Sequence, residues 1–356
     1  MYINPYLFIL PRTPGQIVWN YKNHTQHELD LNYSIRLAQL IQNPDLFDDL
    51  NIIDTQLLNA GILTIAKIDC PAWGWDELSK IYHIGTQNIP CEHTPQNIQE
   101  WSRQYLQHCN EVLSTPAPET SRRKSDHHIM LPAPDTLPGA SLGNVLHQRK
   151  TSRTFTGAAV TLQETSTLLY LSFGFLRNRA VDNNDASIAH DPGARRCSPS
   201  GGGLNACEGF LLARNIAGLE PGIYAYHPAE HSLSRINALP EPVLGHLLAG
   251  QHFINDLPLG VFITARFDRL WWKYQHSRAY RMAFVEAGHL SQSFQLVATA
   301  LGLGTWLTGA FTDHEVETLL KIEGSAEQPL FFVGCGASDG RPMCQEMLDL
   351  LQEQQA

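Results

Sequence analysis

An α+β fold, with a main domain behind a smaller N-terminal module, is what the sequence predicts, and three observations predict it. The chain has 356 residues, 43% hydrophobic and 17% charged. That is the composition of a folded protein, in a chain longer than the roughly 250–300 residues at which one core stops growing. Four runs, EGFLLARN, GIYAYHP, GVFITARF and LFFVGCG, are rich in β-branched and aromatic residues and bounded by Gly or Pro, as strands are. Between the last two, Tyr280, Ala283, Phe284, Ala287, Leu290, Phe294, Val297, Ala298 and Leu301 recur at helical spacing, and Gly302 stops the run.

From the N-terminus, YLFIL and QIVWNY read as strands, and Tyr33, Leu37, Leu40 and Ile41 share one helical face. A second helix over 55–59 ends at Gly61, and ILTIAKI reads as a strand. Residues 1–75 are therefore expected to form a small α+β, winged-helix-like module, a docking surface rather than a catalytic one. WDELSKIYHI and NIQEWSRQYLQHC make 76–112 a helical connector. Residues 113–140 hold many Pro and few large apolar residues, and read as a linker or arm. Its basic run at 122–124 and its pair His127 and His128 read as a solvated turn. The main domain is expected over 141–356.

Asp plus Glu is 35 and Lys plus Arg 25, a net charge of −10, which argues against nucleic acid as the main partner. Residues 287–312 lack Asp, Glu, Lys and Arg, but His289 and several Ser, Gln and Gly make them a buried helix and its exit, not a membrane span. The opening MYINPYLFILPRTPG has no cationic stretch before its apolar run, so it does not read as a secretory signal. The 7 Cys form no CxxC, and reduced thiols in a cytoplasm are the expectation. No metal site is written in the chain, and no GxSxG or HExxH points to hydrolysis.

Three stretches carry the chemistry. In Arg149-Lys150-Thr151-Ser152-Arg153-Thr154-Phe155, guanidinium forks, an ammonium and hydroxyls converge as a phosphate cradle does. In Ser198-Pro199-Ser200-Gly201-Gly202-Gly203-Leu204-Asn205, the Gly triplet lets backbone approach a flat ligand with its N–H groups free. Leu301-Gly302-Leu303-Gly304-Thr305 closes the long helix. No strand precedes it and its third Gly is misplaced, so it is not a dinucleotide fingerprint.

Together these stretches resemble the FMN-dependent nitroreductase superfamily, whose opening motif is similar to 149–155. SPSGGGLN, PGIYAYHP and YRMAFVEAGHLSQSFQLVATALGLG look like its SagB-type, McbC-like azoline dehydrogenase branch. The resemblance covers about 140–345 and matches the N-terminal third only loosely. It implies an antiparallel-rich sheet flanked by helices, and a homodimer holding FMN at its interface. Arg149, Lys150, Thr151 and Arg153 would hold the phosphate and ribityl chain. Pro199, Ser200, Gly201 and Gly202 would line the isoalloxazine, and Gly302, Leu303 and Gly304 would approach it from the long helix. Arg341, in GCGASDGR, falls where the family often places a second phosphate-binding cation. Asn205 stands where the branch commonly has His.

In this branch an adjacent Lys-Tyr, here Lys273-Tyr274 after Trp271-Trp272, supports azoline oxidation. Aromatising an azoline removes a ring proton as a hydride leaves to the flavin, so a base is needed. A lysine of ordinary pKa, about 10.4, is protonated at neutral pH, and burial beside Trp271 and Trp272, a low-dielectric setting, is what would disfavour its ammonium. Tyr274 would relay the proton or orient the substrate. His276, Arg278 and Arg281 would face substrate or partner subunit, and Glu286 and His289 read as a structural pair. The resemblance thus implies a cytoplasmic, FMN-dependent dehydrogenase converting a thiazoline or oxazoline to the azole in a peptide natural product. Its partners would be a peptide or carrier-bound heterocycle and a synthetase or cyclodehydratase, with no nucleic acid and no membrane. An NAD(P)H-dependent nitro or quinone reductase is the alternative, and a dehydrogenase of a carrier-bound aminoacyl group a further one.

Overall fold

A computed structural model describes residues 1–356 except 71, 89–93, 120–127, 138, 176–194, 242 and 355–356. The basic run at 122–124 and His127 therefore lie outside the described residues. The chain forms two compact units, Met1–Glu92 and His93–Ala356. The division falls inside the stretch expected as a connector. Its first helix, Glu77–Gly85, goes with the N-terminal unit and its second, Ile98–Leu113, with the C-terminal one.

In the first unit, strands Leu7–Arg12, Gly15–Asn20 and Thr25–Leu29 form an antiparallel meander. Asp30 then caps helix Leu31–Gln42, accepting from the backbone N–H groups of Asn32 and Tyr33. Helix Ile52–Asn59 follows, capped by Asn51. Val18, Leu29, Leu37, Leu40, Leu57, Ile62 and Leu63 make the core. Arg36 donates to the buried carboxylate of Asp54 at 2.7 Å, which holds that carboxyl below its ordinary range. Of the expected strand ILTIAKI only Leu63–Thr64 pairs, with Tyr2–Ile3; Ile65 is already exposed. A cavity of about 510 Å³ opens between strand Thr25–Leu29 and the two helices, lined among others by His27, Tyr33, Gln56 and Leu57.

The second unit is built on a seven-stranded antiparallel sheet. Its order is Gly304–Thr308, Glu327–Gly336, Leu259–Arg266, Cys207–Ala213, Gly222–His227, Ser232–Asn237 and His128–Met130. The expected arm thus adds a short edge strand. The central strands read as unbroken apolar runs because both faces are covered. Leu259, Val261, Ile263 and Ala265 join one core and Phe262 the other, as alternation across a strand requires. The long helix Tyr280–Ala300 lies on the first face, contributing Ala283, Ala287, Leu290, Phe294, Val297 and Ala298.

Candidate functional site

One stripe of the long helix holds the glycine-rich segment residue by residue. Met282, Glu286, His289 and Ser293 recur at spacings of 4, 3 and 4, so they share a face. Ser293 Oγ is 2.7 Å from Ser198 Oγ, and His289 Nδ1 is 3.3 Å from the Pro199 carbonyl. Ser200 Oγ donates to Glu286 Oε2 at 2.6 Å, and a Cβ at Gly201 would rest 3.6 Å from Met282. The segment therefore runs antiparallel along the helix. Glu286, 3% exposed, also accepts from the Cys207 backbone N–H at 2.9 Å and from Arg196 at 3.5 Å. Glu286 and His289 share a structural task as expected, though they hold the loop rather than each other.

The loop ends at Gly202 and Gly203, with φ of +61° and +72°, a region that Gly enters without steric cost. There it meets the Lys-Tyr pair. Lys273, at the end of helix Phe267–Lys273, is buried and donates from Nζ to the Gly202 carbonyl at 3.3 Å. A Cβ on Gly202 would collide with Tyr274 Oη and sit 3.1 Å from Lys273 Nζ. Burial, and then the Cys109 thiol, push the Tyr274 phenol above its ordinary range, so it stays a proton-bearing donor. The two Trp do not enclose the lysine. Trp271 is 50% exposed, and Trp272 turns its indole N–H to Thr115 Oγ1 at 3.0 Å. The aromatic faces near Lys273 Nζ are Tyr105 and Tyr274, each with its centroid 5.9 Å away.

Arg269, one turn before Lys273, ties the parts together. It donates to the Asn205 carbonyl at 2.6 Å, to Glu208 at 2.7 Å and to the Glu119 carbonyl at 3.3 Å. His276, just after the pair, has a buried Nδ1 with no hydrogen-bond partner among the described residues; burial, then Arg278 and His108, lower its pKa.

The cationic residues converge elsewhere. Residues 149–156 run beside the end of the sheet: Ser152 N–H donates to the Thr305 carbonyl at 2.8 Å and Arg153 N–H to the Arg341 carbonyl at 3.0 Å. Thr151 bridges Thr305, and the Lys150 side chain packs over Gly340. Arg149 reaches Gln295 of the long helix at 3.4 Å. Arg153 donates to the Pro342 carbonyl at 2.6 Å, and Arg341 to Asp339 at 2.6 Å and Gln345 at 2.7 Å. Asp339, which also accepts from Thr154, is held at a pKa of about 2, the Thr154 hydroxyl being the largest cause. Gly302 has φ +77° and turns the chain off the helix. Leu303 packs on the core, and at Gly304 a Cβ would stand 2.6 Å from Ser338 and 2.9 Å from Ser152 Oγ. So 302–304 abut the cationic cluster.

The candidate residues therefore form two groups: 149–153, 302–304 and 341, and 199–203 with 273–274. Gln295 lies nine residues beyond Glu286, about two and a half turns, and so faces the opposite side of the helix. Sequence reasoning missed Arg196, Arg269, Gln295, Tyr105 and Cys109. Buried polar residues have no period of their own, and the available signal was Arg196 standing two residues before the glycine-rich segment. Among the described residues no group of three His, Cys, Asp or Glu could hold a metal ion, and no helix is long and apolar enough to cross a membrane.

Comparison with known proteins gives a consistent likeness. The model of the nitroreductase family matches residues 146–337. A Methanocaldococcus jannaschii protein described as a nitroreductase is 34% identical over 199 residues, 55% of this chain and 90% of that one. The trifolitoxin operon protein TfxC of Rhizobium leguminosarum bv. trifolii is 26% identical, over 64% of each chain. The microcin B17-processing protein McbC of Escherichia coli is 30% identical over 41% of this chain and 56% of its own length.

Proposed function

The chain belongs to the nitroreductase family, and from that premise we propose that it is an FMN-dependent dehydrogenase that oxidises an azoline ring, a thiazoline or oxazoline, to the azole in a peptide. The observation that carries this reading is the convergence of Lys273 Nζ and Tyr274 Oη on Gly202. Two titratable groups on a bare glycine backbone are what proton removal beside a flat ring requires. The names of two relatives, a toxin operon protein and a microcin-processing protein, point the same way.

The residues fit the cofactor. Among the described residues Ser152 Oγ, fully buried, has no hydrogen-bond partner, in a run that also brings Arg149, Lys150 and Arg153 beside Arg341. Among the described residues the Lys150 ammonium has no partner either. This donor set suits a phosphate. FMN, when bound, supplies the two-electron acceptor. The chain's own residues do the rest: the cations and Ser152 hold the phosphate, Gly201 and Gly202 leave room for a planar ring, Lys273 takes the proton and Tyr274 orients the heterocycle.

Because the two groups lie on opposite sides of the long helix, one flavin spanning both needs a second copy of the chain. Exposed Leu142, Leu146, Phe284 and Val285 offer apolar surface for a homodimer. The N-terminal unit, with its 510 Å³ cavity, would dock the peptide, a carrier or a partner synthetase.

The first test is the visible spectrum of the purified protein, with the released chromophore identified by mass. About one FMN per chain, and conversion of an azoline peptide that Lys273→Ala loses while keeping its flavin, are the expected results. General-base catalysis is worth about 10²–10⁴ in rate. Undiminished turnover in Lys273→Ala would remove that residue from the chemistry. The 34% identical relative keeps a second reading open, an NAD(P)H-driven reductase. It predicts flavin bleaching by NADPH without any peptide.

A further inference from the structure

The helix Ile98–Leu113 was expected as a connector, yet it brings a set of groups to Lys273. Trp101, Tyr105, Cys109 and Val112 recur at spacings of 4, 4 and 3 on one face, and Cys109 and Val112 are the buried ones. The Tyr105 ring stacks on Trp101 with centroids 5.2 Å apart and planes within 4°. The Tyr105 centroid is also 5.9 Å from Lys273 Nζ, within reach of a cation–π contact. Burial, then a hydrogen bond to the Cys109 thiol, raise the Tyr105 phenol, and burial, then the same thiol, raise that of Tyr274. The helix exit is clipped to the element that carries the lysine. Thr115 accepts from the Trp272 indole at 3.0 Å and the Glu119 carbonyl from Arg269 at 3.3 Å.

We propose that this helix is an active-site element and that Tyr105 is a positioning residue for Lys273, closing with Tyr274 and the Gly202 carbonyl a cage that fixes the amine. The chemistry is plain. A buried amine with one carbonyl partner keeps its long stem mobile, and a four-carbon side chain has many rotamers to lose. Two aromatic faces, each with its centroid 5.9 Å from Nζ, restrict it, and their π density favours the ammonium that the amine becomes once it has taken the proton. Trp101, stacked on Tyr105, keeps that ring from turning away. This rests on Lys273 being the reacting amine of the proposed function, but the cage is a statement about the chain alone and is testable without substrate.

The test is acetic-anhydride labelling of the flavin-loaded protein, with modification of Lys273 read by mass spectrometry against exposed Lys321. Tyr105→Ala is expected to raise Lys273 labelling about tenfold, the range of one partly desolvated cation–π contact. Tyr105→Phe should stay at the wild-type rate, and flavin content should be unchanged in both. Where wild type turns over an azoline, Tyr105→Ala should lower kcat about tenfold with KM little changed, and Tyr105→Phe should restore it. Should the alanine variant not fold, Tyr105→Leu keeps the bulk and removes the aromatic face, and the same rise in labelling is expected. Wild-type labelling in Tyr105→Ala or Tyr105→Leu would overturn the cage. Absence of azoline turnover in wild type would overturn the proposed function and leave the labelling result standing.

Discussion

Gly202 shows how much of a site can rest on one missing atom. Its backbone at φ +61° turns its carbonyl to Lys273 Nζ, and a Cβ would strike Tyr274 Oη. Gly202→Ala combines about 1–2 kcal/mol of left-handed strain with displacement of the tyrosine. It should cost at least about tenfold in kcat/KM, equivalent to about 1.4 kcal/mol, while the far-UV spectrum stays native; an unaltered rate would separate Tyr274 from the chemistry. At the other group, Asp339 is the residue whose titration is visible. Its folded pKa of about 2 lies below the 3.8 of the free carboxyl. A carboxyl depressed on folding contributes stability above its unfolded pKa and loses it as pH falls through the folded value. The stability difference between wild type and Asp339→Asn should therefore be constant well above 3.8 and shrink steadily as pH falls through about 2. Denaturant titrations at stepped pH would show it, and a difference undiminished at pH 2 would mean Asp339 does not tie 149–156 to 336–342 through its charge.

At the scale of elements, legibility followed burial. The strands Leu259–Arg266 and Glu327–Gly336 were readable because both faces are covered, which gives unbroken apolar runs. The long helix was readable to its end because its apolar positions keep the helical period through Leu301. Helix Leu162–Phe173 was not, since Thr165, Ser166, Thr167 and Ser172 are buried and their hydroxyls break that pattern. Strand Gly304–Thr308 was hidden behind glycines that read as a helix exit, although Gly304 is needed where Ser152 and Ser338 crowd it. The site divided in the same way. Arg149, Gly202 and Lys273 were legible as local runs, while Glu286, which joins helix, loop and strand, was legible only as a residue on a face. Glu286→Gln leaves Arg196 buried without its counter-charge, and about 3 kcal/mol of stability should be lost. Urea unfolding would measure it, and a loss under about 1 kcal/mol would show the pair to be dispensable.

For the whole molecule, the half-turn between Glu286 and Gln295 is the decisive quantity. It places the cationic cluster and the Gly202–Lys273 group on opposite sides of one helix, so each chain of a two-fold dimer would lend one half to each of two sites. That arrangement makes a prediction that no site built within one chain shares. Lys273→Ala and Arg153→Ala, each inactive alone, can be unfolded together and refolded as a mixture. If the halves come from different chains, a mixed dimer has one site carrying both defects and one carrying none. Random pairing then makes half the dimers mixed and restores about a quarter of wild-type activity. If each site is built within one chain, every site in a mixed dimer keeps one defect and nothing is restored. Activity recovered on mixing, together with a dimeric mass in solution, would thus locate the flavin between two copies; an inactive mixture of dimers would place both halves in one.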